Sequence, residues 1–409
     1  MVIKPMIRGN ICINSHPAGC ARAVRNEIAY VKQLFHGNKC EKPPRMVLVI
    51  GCSTGYGLAS RIVSGFGYGA ATVGVSFEKP ASEARAGTPG WYNNLCFDAE
   101  AAAAGLPAKT LNIDAFSNEA KSAVIEAIKD IALTQGIQAQ IDLVVYSLAS
   151  PVRTDPATGV MYRSVIKPIG APYSGRTFDL ASGKIGVVSV EPANDEEIAS
   201  TVKVMGGEDW ELWMDALDAA GVLSPPCRAV AYTYLGPELS WSIYKNGTIG
   251  RAKEDLERAA RDINRKFAAK GGGGCAWVSV NKALVTRASA VIPIIPLYIA
   301  SLFKVMKAKG IHEGCIEQIT RLYRERLYTA ETAVDALKTP VDGKGRIRID
   351  DLEMREDVQE AAAATLDRIT EENIYAESDA EGFRHDFLEA HGFDVTGVDY
   401  ALDTPFDKI

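Results

Sequence analysis

Three pairs in this chain set a tyrosine nine positions ahead of a lysine: Tyr30/Lys39, Tyr244/Lys253 and Tyr298/Lys307. A phenol beside an ammonium is a tuned hydrogen-bond and proton donor. A free phenol has a pKa of about 10, and a neighbouring positive charge makes its anion easier to reach. Spacing alone does not select among the three pairs, but context does. Tyr244 follows the strand-like run Arg228–Tyr234, and Asn246-Gly247-Thr248 lies between it and Lys253. Nine positions on an unbroken helix turn through about 900°, which sends the two side chains to opposite faces. Asn246-Gly247 predicts a break, and Thr248 is the expected N-cap of a new helix. The other two pairs read as a helix face and as a core residue beside a solvated charge.

A second constellation is Gly51-Cys52-Ser53-Thr54-Gly55-Tyr56-Gly57, directly after the apolar run Met46–Ile50. It fits G-x-x-x-G-x-G, a dinucleotide turn. Glycines there permit a tight turn, a close approach to a pyrophosphate and close helix–strand packing, while the next helix offers free N–H donors to the phosphates. The following run, Ala71–Ser76, leads into Phe77-Glu78. A carboxylate at that point accepts from both ribose hydroxyls of NAD and repels a 2′-phosphate, so Glu78 favours NADH over NADPH. Asp114-Ala115 ends a third strand, where it would meet the adenine edge, and Leu148-Ala149 follows a fourth, where it would flank the nicotinamide ribose. The same glycine turn also fits the G-x-S-x-G elbow of a serine hydrolase with Ser53 as nucleophile. Too few residues precede Gly51 for the several strand–helix units that elbow needs. A non-catalytic dinucleotide-binding protein is a further alternative; it would keep the turn and Glu78 without needing Tyr244 and Lys253. His312-Glu313-Gly314-Cys315 lacks metal-ligand spacing, and no metal is expected.

The elements that must position these groups alternate. Strand-like runs at Met46–Ile50, Ala71–Ser76, Thr110–Ile113, Asp142–Ser147, Arg228–Tyr234 and Ala276–Asn281 are apolar on both faces, with helical stretches at Tyr56–Phe66 and Asn118–Leu133. That pattern predicts an α/β fold, a Rossmann-like doubly wound parallel sheet. Residues 151–225, with one clear helix at Trp210–Ala220, read as an enlarged substrate-binding insertion near the strand ends. Trp210, Trp213 and Met214 at helical spacing read as core. The expectation is a single large domain, 1–409, with a lead-in over 1–45, a NAD-binding core over 46–290 and a mostly helical part over 291–409. Asp342–Ile349 reads as a small hairpin.

Of 409 residues, 47% are hydrophobic and 23% charged, and the net charge of −6 gives no reason to expect nucleic acid. The eight cysteines form no CxxC pair, and Met1–Arg8 lacks the apolar core of a signal peptide, which together point to the cytoplasm. The longest apolar run, Ala288–Phe303, is short for a membrane span and holds Pro293 and Pro296, so it reads as a buried helix or pocket wall.

The chain lacks the Tyr-x3-Lys of ordinary short-chain dehydrogenases and the Tyr-x6-Lys of the common enoyl reductases. The stretches GCSTGYGLASRI, GWYNN, YSLASPVRTDP, EPANDEE, TVKVMGGEDWELW, YKNGTIGRAK, NKALVTRASAVIP and HEGCIEQ carry a different likeness. Together they resemble the NADH-using trans-2-enoyl-CoA / enoyl-acyl-carrier-protein reductase family, the FabV type, from IKPMIRGNIC near the start to GFRHDFL near the end. The resemblance implies reduction of the C2–C3 double bond of an enoyl-CoA or enoyl-carrier-protein thioester by NADH, in fatty acid synthesis, by a monomer. It implies Tyr244 as catalytic tyrosine, Lys253 as the lysine on the cofactor ribose, and Tyr234 as a contact of the acyl thioester. It implies NAD contacts from Gly51, Cys52, Ser53, Thr54, Gly55, Tyr56, Phe77, Glu78, Asp114, Ala115, Leu148 and Ala149. Leu284, Val285 and Thr286 match the loop that grips the nicotinamide carboxamide.

Overall fold

Apolar runs on both faces build the sheet at the centre of the fold. In the computed structural model, which describes residues 2–37, 40–286, 289, 292, 294–407 and 409, the strands are β1 (Met46–Ile50), β2 (Ala71–Ser76), β3 (Ala108–Asn112), β4 (Ile141–Tyr146), β5 (Leu223–Thr233), β6 (Cys275–Val280) and β7 (Ile347–Arg348). They pair side by side in the order β3-β2-β1-β4-β5-β6-β7, all parallel. Every side chain of β1, β2 and β6 is buried, as a sheet covered on both faces requires. Pro225-Pro226 interrupts the β4–β5 ladder between Leu223 and Arg228, since proline has no N–H to give it. Chain order turns back between β1 and β4, so the crevice for a ligand lies at the carboxyl ends of these two strands.

Helices α1 (Pro17–Phe35), α2 (Gly55–Ile62), α3 (Pro89–Ala103) and, from further along, α9 (Cys315–Leu322) cover one face. The other face is covered by α4 (Asn118–Gln135), α6 (Glu208–Ala219) and α7 (Thr248–Lys270). Trp210 and Trp213 are completely buried under α6, which therefore packs on the sheet with α4 and α7. Ahead of it, residues 152–163 and 173–190 form two antiparallel hairpins, and α5 (Asp195–Met205) starts in a capping box of Asn194 and Glu197.

A third core gathers α8 (Ile295–Ala308), α10 (Glu356–Arg368), α11 (Ile374–Glu377) and α12 (Ala380–Glu389) around Tyr244 and Leu284. α8 is the described part of the long apolar run; Ala288, Ala290, Val291 and Pro293 lie outside the described residues. No helix among the described residues is long and apolar enough to cross a membrane. Arg176 ties the second hairpin to this lobe by donating to the carbonyls of Leu366 and Ile369. The expected hairpin at Asp342–Ile349 is instead a turn closed by Asp342, whose carboxylate accepts from the Lys344 and Arg346 N–H groups, followed by the edge strand β7 beside β6. Asp342 satisfies the turn locally, so the second strand is free to pair with the sheet.

Candidate active site

At the rim of β1 Gly51 and Gly57 each answer a steric need. Gly51 has φ +89°, and a Cβ there would lie 2.2 Å from the Ser147 carbonyl at the end of β4; a Cβ on Gly57 would lie 1.9 Å from the Gly51 carbonyl. α2 starts at Gly55 with no side-chain cap from Thr54, which leaves its first N–H groups without a capping side chain. Ser53 Oγ donates to Glu78 Oε1 (2.7 Å), and Asn93 Nδ2 donates to the Ser53 carbonyl (2.9 Å). Glu78 is held through its backbone in both directions by Asn112 at the end of β3 (2.7 and 2.8 Å). Gly90 makes room for that carboxylate, since a Cβ there would lie 2.3 Å from Oε1. Phe77 beside it is 76% exposed, and Cys52 is buried with Sγ 3.6 Å from Asn94 Oδ1. The Ser53 hydroxyl is committed to the Glu78 carboxylate, and no histidine among the described residues bonds to it, so the serine–histidine pairing of a hydrolase elbow is not built here.

The remaining expected cofactor contacts stand on the same rim, because all strands run one way. Asp114 Oδ1 accepts from the Phe116 N–H (3.0 Å), and the Ala115 carbonyl accepts from Trp213 Nε1 (3.1 Å), which fixes the turn into α4. Leu148 is half-buried and Ala149 exposed just past β4. Leu284 and Val285 are buried; Thr286 reaches the turn, its Cγ2 3.8 Å from where a Gly55 Cβ would sit. The Tyr56 hydroxyl lies 2.8 Å from the Lys282 carbonyl and 2.9 Å from Gln318 Oε1. Its polar end is therefore used to lash α2 to the loop after β6, and only its ring and backbone remain to face a ligand.

Tyr244 and Lys253 stand on either side of a break in the backbone. Tyr244 sits in a turn, its N–H on the Ser240 carbonyl (2.9 Å) and its own carbonyl accepting from Gly247 (3.2 Å) and Gly250 (3.1 Å). α7 begins only after this break. Its cap is Gly247, and Thr248 is its first residue rather than its cap. The Thr248 hydroxyl is drawn off to the Val165 carbonyl (2.6 Å), which pins the junction to the insertion. Lys253 lies three positions after Gly250, in the first two turns of α7, and Gly250 itself is bonded to the Tyr244 carbonyl. Its half-buried ammonium makes no hydrogen bond or ion pair with a described residue, and burial without a counter-charge lowers its pKa to about 8. Tyr244 is 7% exposed; burial raises its pKa, and its hydroxyl has no described partner. At the end of β5 the Tyr234 ring stands edge-on to Tyr244, centroids 5.2 Å apart at 70°. Of the other two pairs, Lys39 lies outside the described residues, while Tyr298 bonds Glu353 and Lys307 bridges Asp379 (2.6 Å).

Residues 85–328 match the family model for the trans-2-enoyl-CoA reductase catalytic region, and residues 2–83 the one for the NAD(P)H binding domain of trans-2-enoyl-CoA reductase. The chain is 55% identical to the trans-2-enoyl-CoA reductase [NADH] of Treponema denticola, over all of both chains. It is 54% identical to the enoyl-[acyl-carrier-protein] reductase [NADH] of Cytophaga hutchinsonii, over 98% of this chain and 97% of the relative. The crystal structure of the Treponema denticola enzyme in complex with NAD superposes with a TM-score of 0.94 over the whole of both chains. That of the Clostridium acetobutulicum trans-2-enoyl-CoA reductase in complex with NADH, 45% identical, superposes at 0.92 over 99% and 98%. The chain belongs to the trans-2-enoyl-CoA reductase family. Residues 341–404 match a third model of the family, described as an enoyl reductase FAD binding domain. That segment does not fit a flavin among its described residues. Val358, Ala362, Phe383 and Phe387 are spent on the α8 core, and Gly392 is pressed onto α1 so closely that a Cβ on Gly19 would lie 1.6 Å from its carbonyl.

Sequence reasoning gave no role to Asn112, Asn93 or Glu353, although Asn93 lies in the stretch GWYNN. The first two hold Glu78 and Ser53 through bonds between distant segments.

Proposed function

We propose that this enzyme is an NADH-dependent reductase of trans-2-enoyl thioesters, carried on CoA or on acyl carrier protein, that saturates the C2–C3 bond in fatty acid synthesis. One observation carries the reading: an ammonium without a partner among the described residues, Lys253, rides on the same broken backbone as a buried phenol, Tyr244, whose hydroxyl likewise has no described partner, at the end of the sheet that holds the dinucleotide turn. When bound, NADH supplies the hydride that C3 of the substrate accepts. The chain's own groups do the rest. Lys253 holds the ribose hydroxyls and brings positive charge toward Tyr244. Glu78, kept ready by Ser53 and Asn112, takes the adenosine ribose and turns away a 2′-phosphate. The loop Leu284-Val285-Thr286 would hold the nicotinamide carboxamide.

As negative charge builds on the thioester oxygen, the Tyr244 hydroxyl donates to it. A donor that strengthens only as that charge develops lowers the barrier without deepening the ground state. Burial keeps Tyr244 protonated, which is the state a donor needs. Tyr234 is the second donor, and C2 takes its proton through Tyr244 or water. The acyl tail lies along α8, whose side chains are apolar and buried. The free thiols of all eight described cysteines suit a cytoplasmic enzyme, and the family likeness suits a monomer. The test is the disappearance of NADH absorbance when crotonyl-CoA, longer enoyl-CoA esters or an enoyl carrier protein are added. Turnover with NADH well above that with NADPH is expected, and inertness toward all of these thioesters would overturn the proposal.

A further inference from the structure

Glu353 is completely buried in the turn before α10, far along the chain from the tyrosines. Its two oxygens face different parts of the site. Oε1 accepts from the hydroxyls of Tyr298 (2.7 Å) and Tyr234 (3.3 Å), and Oε2 accepts from the backbone N–H of Ala283 (2.7 Å). Gln359 closes the ring, its Nε2 donating to the Glu353 carbonyl (2.7 Å) and to the Tyr298 hydroxyl (3.0 Å). Lys282 is buried beside it, with Nζ on the Ala283 carbonyl (3.0 Å) and 4.7 Å above the Phe303 ring. A buried carboxylate is costly unless fully bonded, and an apolar residue of similar volume often holds a fold as well or better. Packing α8 against α10 does not require an acid here.

We infer that Glu353 is a positioning residue that locks the root of the nicotinamide loop and the substrate-side tyrosine to one carboxylate, so that cofactor and thioester are aligned together. The inference rests on the roles given above to Leu284–Thr286 and Tyr234. Ala283 immediately precedes that loop, so the bond to Oε2 sets where the loop begins. On the other oxygen the two hydroxyls are not equivalent. Tyr298 holds the short bond and can satisfy Oε1 alone. Tyr234, on the long one, is free to turn its proton to a substrate oxygen without stranding the carboxylate. Tyr298 is therefore the stand-in that makes Tyr234 available.

The experiment compares Glu353→Gln and Tyr298→Phe in the full chain, with NADH and crotonyl-CoA varied separately. An amide cannot accept from Ala283 and both tyrosines as a carboxylate does. Stranding one buried donor corresponds to about a tenfold effect. Glu353→Gln is expected to raise the KM for NADH and lower kcat, each by about that factor. Tyr298→Phe leaves Ala283 alone and ties Tyr234 to Glu353, so kcat should fall severalfold with the KM for NADH unchanged. A role in packing alone predicts lower melting temperatures and no such split. Folded Glu353→Gln with both constants within about twofold of the parent overturns the inference. Should that variant not fold, Tyr298→Phe decides, and unchanged kcat overturns it. Full turnover by Tyr244→Phe would instead sink the proposed function, which keeps the two failures apart.

Discussion

The chemistry assigned to Tyr244 is a donor's chemistry, and it sets a scale for its loss. Tyr244→Phe removes one hydroxyl from a buried ring and leaves the packing against Tyr234 in place. Losing a single donor to a developing oxyanion costs about a hundredfold or more in kcat. That loss is expected with the KM for NADH little changed, measured by steady-state kinetics with crotonyl-CoA. Lys253 makes a different prediction because its charge, not its shape, is in play. Its pKa in the folded enzyme is lowered to about 8, so the ammonium is present below that pH and is lost as pH rises through it. Binding of ribose hydroxyls should follow the charge. The KM for NADH is expected to be flat below pH 8 and to climb above it, whereas Lys253→Met should show a raised and pH-independent KM. Lys282 is also lowered to about 8, so the variant is the necessary control. A parent-like climb in Lys253→Met would move the effect to Lys282.

What these residues can do depends on one joint, the passage from the Tyr244 turn into α7. Gly250 is the contact point, because a Cβ there would lie 1.7 Å from the Lys245 carbonyl and 3.0 Å from that of Tyr244. Gly250→Ala must push the first turn of α7 away, and it carries Lys253 with it. The expected result is a stability loss of about 1–3 kcal/mol and a fall in kcat larger than the fall in folded fraction. Thermal melts and activity per folded molecule check this, and a variant that melts lower but turns over normally would show that the joint is structural only. Elements of this kind differ in how well the sequence announces them. β1 and β2 were readable to the residue as Met46–Ile50 and Ala71–Ser76, because strands buried on both faces carry no charged side chain. The break at Asn246-Gly247 was readable from turn chemistry, but not that Thr248 would be pulled out of its capping role by Val165, over eighty residues away. The hairpins of the insertion and α5 left no comparable trace, since they are largely exposed and paired by contacts between segments. Glu353 was invisible for the same reason: a lone acid acquires meaning only when Tyr298, Tyr234 and Ala283 are brought around it.

At the scale of the molecule, the sheet and the C-terminal lobe share one site. The lobe adds β7 to the sheet edge, supplies Glu353 beneath Tyr234, and covers α8, of which Leu297, Tyr298, Ile299, Ala300 and Leu302 are completely buried. A helix apolar on all sides is stable only when surrounded. The covering side chains from this lobe include Val358, Leu366, Ile369, Ile374, Phe383, Phe387 and Leu388, all buried. At about 1.5–3 kcal/mol for each large apolar side chain, their removal would forfeit on the order of 10 kcal/mol. Net stabilities of folded domains are about 5–15 kcal/mol, so the remainder could not stand alone. We therefore propose that the chain folds as a single unit, not as a NAD-binding domain with an appended lobe. A chain ended at residue 340 should be insoluble or molten, and the full chain should unfold in one transition, with fluorescence and circular dichroism coincident and NADH raising the midpoint. A soluble 1–340 fragment that binds NADH with parent affinity would refute this. It would also show that the loop Leu284–Thr286 keeps its position without Glu353.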